Sequence, residues 1–156
     1  MDKTDIQFKG VRGWLLLLCV NLTILDPFSI LFNLIFVTNL SKPYFDKQAG
    51  LLKLIFINGT CSIGLAVFSI YAGVSLWKVL PSAPAVAKKY LLAVSIYSII
   101  SLFIPALVGL TDESDKSLSG NNIINGLLTI LYATVWYLYL KKSRRVQITY
   151  NITPTS

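Results

Sequence analysis

Four long apolar runs, at 14–40, 51–79, 90–110 and 121–140, constrain this chain more than any other feature of its sequence. Each reaches the roughly 20 residues that a helix needs to cross a bilayer's hydrocarbon core, and the first two are long enough to tilt or kink. Lipid offers no hydrogen-bonding partner to a backbone amide, so a spanning segment has to satisfy its own as a helix. The expected fold class is all-α, a four-helix transmembrane bundle. It divides the chain into an N-terminal tail at 1–13, a membrane domain at 14–140 and a basic tail at 141–156.

Charge supports this choice of solvent. Only 13% of residues are charged, against roughly 25% in soluble domains, and mean hydropathy is +0.66. The net charge of +7 sits in clusters that flank the apolar runs, which follows a membrane surface rather than a nucleic-acid groove. There is no histidine, so acid–base or metal chemistry that depends on it is excluded. Neither a cofactor nor a metal is expected. Cys19 and Cys61 would differ in depth by roughly 20 Å, beyond disulfide reach, and read as small packing residues. The first run is longer than a signal-peptide core and is expected to remain as a span.

Lysine and arginine set the orientation. Lys3, Lys9, Arg12, Lys78, Lys88, Lys89, Lys141, Lys142, Arg144 and Arg145 fall on one side of the membrane, and Lys42, Lys47, Lys53 and Lys116 on the other. Ten against four places both termini in the cytoplasm. The acidic cluster Asp112, Glu113 and Asp115 then lies outside. Pro81 and Pro84 suggest a rigid extended inner turn, while Gly120, Asn121 and Asn122 read as the lead-in to the fourth helix. Trp14, Trp77, Trp136, Tyr137 and Tyr139 read as an aromatic belt at the inner interface.

Within the second run, Gly59, Ser62, Ala66, Ser69 and Gly73 recur at steps of three and four, one stripe of a helix. Small residues let helix backbones approach closely in lipid, where hydrophobicity no longer drives association. The stripe reads as a helix-packing seam.

Asp26 is the acidic residue deepest in a span, about 18 Å along the helix from Trp14. Two readings stay open. A carboxylate at that depth is a candidate proton relay, ion site or ligand contact, with Tyr71, Tyr97, Ser101, Thr129 and Tyr132 as hydroxyl partners of matching depth. Alternatively, Asp26 and Pro27 break the first run into two half-helices, with Asp26 capping the second. Beyond the spans, Val146, Ile148, Tyr150 and Ile152 alternate with polar residues, as do Ile6 and Phe8. That period fits either extended tails or a short β-ribbon pairing them under the bundle. The run from Lys141 to Arg145 is expected among anionic headgroups at the cytoplasmic face.

Trp136, Tyr139, Ser143, Arg145, Val146, Thr149 and Tyr150 spell W-x-x-Y-x-x-x-S-x-R-V-x-x-T-Y, and Gly10, Gly13, Trp14 and Leu15 spell G-x-x-G-W-L. These resemble the closing and opening signatures of the YdgK-like small bacterial inner-membrane proteins, a DUF2569-type family without an assigned activity. Members usually end in T-F, from which Tyr150 departs, and tend to carry a proline where Pro27 stands. Asp26 lies outside the pattern. The resemblance implies a four-helix, multi-pass protein of the bacterial inner membrane.

The expected function is a non-enzymatic accessory, assembly or interaction module that binds another membrane protein or a second copy of itself. The alternative is a small proton-coupled or small-molecule transporter using Asp26. An enzyme is not expected, because the inner face offers only Asp2 and Asp5 as acidic groups. The candidate functional residues are Asp26, Arg145, Ser143, Trp136 and Tyr139.

Overall fold

The computed structural model describes residues 11–41, 49–107 and 116–150. Ile6, Phe8, Gly10, Ile152 and the acidic cluster at 112–115 lie outside them. Among the described residues every element is helical. The first run forms α1 (Trp14–Val20), a π-helical turn (Asn21–Leu25) and α2 (Asp26–Ser41). Then follow α3 (Ala49–Trp77), α4 (Ala83–Leu107), α5 (Lys116–Lys142) and a short α6 (Arg144–Thr149). Among the described residues, three helical stretches are long and apolar enough to cross a membrane: Trp14–Asn39, Ile55–Trp77 and Ala83–Phe103.

Asp26 and Pro27 do not break the first helix. Asp26 has helical φ and ψ of −62° and −52°, and its amide reaches back five residues to the Asn21 carbonyl. The next amide in that register would bond the Leu22 carbonyl, but it belongs to Pro27 and carries no hydrogen. The Ser69 hydroxyl of α3 supplies the missing donor, 2.7 Å from the Leu22 oxygen. In a bilayer such a freed carbonyl has to be answered by a neighbouring side chain. A wide turn plus one serine replaces the expected kink.

That turn rests on the small-residue stripe. A Cβ placed on Gly73 would lie 2.9 Å from the Thr23 nitrogen and 3.1 Å from its Cα, so only glycine allows the backbones to come this close. Higher up, a Cβ on Gly59 would meet Leu34 at 3.3 Å. Ser62, also on the stripe, shares a 3.1 Å hydrogen bond with Tyr97 of α4, and Tyr97 donates to the Asn58 side chain. α5 joins α4 in the same manner. Ser98 donates to the Gly126 carbonyl at 3.2 Å, and a Cβ on Gly126 would press on Leu102.

Three expectations about the ends are corrected. The 81–84 segment is not an extended turn throughout, because α4 begins at Ala83 and takes Pro84 into its first turn. There a missing amide hydrogen costs nothing. Gly120, Asn121 and Asn122 lie inside α5, which starts at Lys116. Apolar runs report depth in lipid, whereas a helix continues past the lipid for as long as its backbone can bond. The third correction concerns the C-terminal tail: residues 144–149 form α6, not a strand. Val146, Thr149 and Tyr150, spaced three and four apart, are all buried, so helical burial prevails over the alternation.

Gly73→Ala is expected to destabilise the protein by about 1–3 kcal/mol, the usual cost of overpacking. Gly64→Ala, where an added methyl meets nothing within 4 Å, should be neutral or slightly stabilising. Thermal unfolding in detergent checks both. Equal shifts would contradict the close approach at Thr23.

Candidate functional site

Two polar assemblies stand out, one around Asp26 and one where the two family-like signatures meet. The register set by the π-helical turn turns Asp26 towards α4 and α5. Tyr90 of α4 donates to Oδ2 of Asp26 at 3.2 Å. Tyr132 of α5 donates to the same carboxyl group, 3.3 Å from Oδ1 and 3.4 Å from Oδ2. Asn21, one turn before Asp26, donates to the Tyr132 oxygen at 3.0 Å. The carboxyl group is therefore held by hydroxyls from two other helices. It caps no helix, since the chain is already helical before it. Tyr90 is buried, its ring edge-on to Phe68 at 5.7 Å, which fixes where its hydroxyl points.

At the end of the helices where α1 begins and α5 ends, the described residues of the two terminal signatures come together. Gly13 adopts φ +60° and ψ −132°, a backbone that favours glycine, and so turns the chain into α1. The exposed Trp14 that follows packs against Trp136 at 6.3 Å. Arg145 reaches across from α6 and donates from Nη1 to the Arg12 carbonyl at 3.1 Å. Ser143, with extended backbone (φ −70°, ψ 118°), breaks α5 from α6 and makes no side-chain cap. The bend swings α6 beneath the bundle, where Tyr150 donates to the Leu76 carbonyl at 2.9 Å. Burial pushes the pKa of this hydroxyl well above the usual tyrosine range, so it stays a donor.

Trp136 is not a belt residue. It is 6% exposed, against 69% for Trp14, and packs edge-on with Tyr132 and Tyr139. Position near an interface does not reveal which face of the helix a residue occupies. Trp77 remains partly exposed and donates from Nε1 to the Thr23 hydroxyl at 3.2 Å.

Of the hydroxyls matched in depth to Asp26, which were Tyr71, Tyr97, Ser101, Thr129 and Tyr132, the structure brings Tyr132 to it. Tyr90 and Asn21 were not singled out from the sequence, and Tyr90 opens its apolar run, so depth pointed away from it. Among the described residues no three His, Cys, Asp or Glu side chains gather as a metal site requires.

The model of a family described as protein of unknown function (DUF2569) matches residues 8–151. The chain belongs to this family. No curated protein and no solved structure matches it. For a DUF2569 protein, the geometry gives the signatures a physical role, since the opening glycine and tryptophan and the closing W-x-x-Y and S-x-R-V segments clasp one another. The hydroxyl of Tyr150 adds a hydrogen bond to its buried ring.

The clasp leads to a specific expectation. Arg145→Lys should lower the thermal midpoint or membrane accumulation, at a cost of about 1–3 kcal/mol for the lost charged hydrogen bond. The exposed Arg144, changed to Lys, should leave both unaltered. Indistinguishable behaviour of the two variants in a membrane-accumulation assay would reduce the basic tail to a diffuse anchor.

Proposed function

We propose that this DUF2569 protein is a multi-pass protein of the bacterial inner membrane, crossing it four times with both ends in the cytoplasm. It acts as a non-enzymatic accessory, assembly or interaction module. The first three crossings correspond to the stretches Trp14–Asn39, Ile55–Trp77 and Ala83–Phe103. The fourth is the 121–140 part of α5, supported by the bond that Tyr132 makes to Asp26 at mid-depth. The ten-to-four distribution of basic residues supports the orientation, with the basic tail among anionic headgroups.

One observation carries the reading. The acidic group deepest in the membrane is taken up by two tyrosine hydroxyls from neighbouring helices, so it serves as a clamp that joins three of the four spans. A carrier would need that carboxyl group to exchange its partners during transport.

Purified protein in liposomes loaded with a pH-sensitive dye separates the two roles. Under an imposed proton gradient, wild-type and Asp26→Asn vesicles should dissipate it at the same rate as empty ones. Asp26→Asn keeps an acceptor for the tyrosines and should unfold within a few degrees of wild type. Asp26→Leu, which strands two hydroxyls, should cost about 1–3 kcal/mol. Proton flux that disappears with Asp26→Asn would replace the clamp with a carrier.

A further inference from the structure

Within the long helical stretches, the described serine and threonine side chains follow a rule with one exception. Thr23, Thr38, Thr60, Ser75, Ser95, Thr129 and Thr134 each bond a carbonyl four residues back. Ser101 bonds the Ser98 carbonyl three residues back. Ser62, Ser69 and Ser98 bond a neighbouring helix. Ser29 does neither. It is exposed on α2, and one turn further along the same face stands Asn33, also exposed and without a partner among the described residues. Counted from the middle of the stretch Trp14–Asn39, Asn33 lies roughly 10 Å from the midplane, inside the hydrocarbon. Around this pair Phe28, Phe32, Ile35 and Phe36 turn outward.

An asparagine amide facing lipid is costly and is answered by hydrogen bonding to another helix. α2 packs substantially on α3 alone among the long helices, so nothing among the described residues answers it. We infer that this face is where a second copy of the chain docks, α2 against α2, with the two Asn33 amides bonded across the symmetry axis. Three features favour a second copy. Copies of one chain insert with the same orientation, so Asn33 meets Asn33 at equal depth. A primary amide both donates and accepts, so two of them satisfy each other. Ser29 is likewise self-complementary, and small enough to let the helices approach beside the stacked Phe28 and Phe32 rings.

The inference rests on the interaction-module reading and names its partner. It is tested on full-length protein in liposomes across a range of lipid dilutions. With Cys61 changed to Ala and the buried Cys19 retained, Asn33→Cys should form disulfide dimers under mild oxidant. Ile124→Cys, exposed at similar depth on α5, should not. Without cross-linking, Asn33→Leu should weaken association on the order of threefold to thirtyfold, with Asn33→Gln recovering part of it. Because Asn33 is exposed and bonds nothing among the described residues, all variants should keep the wild-type unfolding midpoint once diluted to monomer. A monomer at every dilution, cross-linking through Ile124→Cys instead, or unchanged association of Asn33→Leu would each overturn the dimer. None of these results bears on the Asp26 clamp, whose failure would appear only as Asp26-dependent proton flux.

Discussion

A single backbone carbonyl, that of Leu22, organises the first two helices. Pro27 denies it an amide donor, and in lipid no water can take that place. Ser69 fills the vacancy at 2.7 Å, which fixes α3 against the π-helical turn in both register and rotation. Gly73 then has to be glycine, because the next turn of α3 lies against the Thr23 backbone. The widened turn also sets the direction of Asp26, and with it the reach of Tyr90 and Tyr132 from the third and fourth helices. Packing, polar satisfaction and the mid-depth clamp are thus consequences of one arrangement.

The inner end adds a second constraint of a different kind. Helices in lipid gain little from hydrophobicity between them, so the ends need their own fastening. Here it comes from Arg145 on the Arg12 carbonyl, Trp136 on Trp14 and Tyr150 on the Leu76 carbonyl. Val79 sharpens the point. It takes φ +51°, which is rare and unfavourable for a β-branched residue. In doing so it closes α3 with a Val79-to-Leu76 and a Leu80-to-Ser75 hydrogen bond, the pattern of a Schellman cap.

Much of this fold was legible from residues alone because lipid leaves so few choices. Apolar runs long enough to span had to be helices, and the spacing of Ser69 and Gly73 pointed to the surface that now lies under Leu22 and Thr23. The π-helical turn was not legible. A register shift of one residue leaves no pattern in hydropathy, and Asp26–Pro27 reads equally well as a break. The starts of α4 and α5 were missed because hydropathy records where lipid begins, not where hydrogen bonding does. The α6 residues satisfy a period of two and a period near 3.6 at once, and burial of Val146, Thr149 and Tyr150 decided between them. For the mid-depth assembly, Asp26 was conspicuous. Tyr132 was one of several hydroxyls matched to it in depth, and nothing in one sequence tells which of them turns towards it, or that Tyr90 does.

A double-mutant cycle between Pro27 and Ser69 tests the central claim most directly, with unfolding free energies measured in detergent for the wild type, Ser69→Ala, Pro27→Ala and the double variant. If Ser69 stands in for the donor that Pro27 lacks, Ser69→Ala should cost about 1 kcal/mol or more in the presence of Pro27. It should cost much less once Pro27→Ala restores an amide hydrogen, giving a coupling on the order of 1 kcal/mol. Equal costs of Ser69→Ala in both backgrounds would mean that the Leu22 carbonyl does not depend on Ser69, and the account built on it would fail.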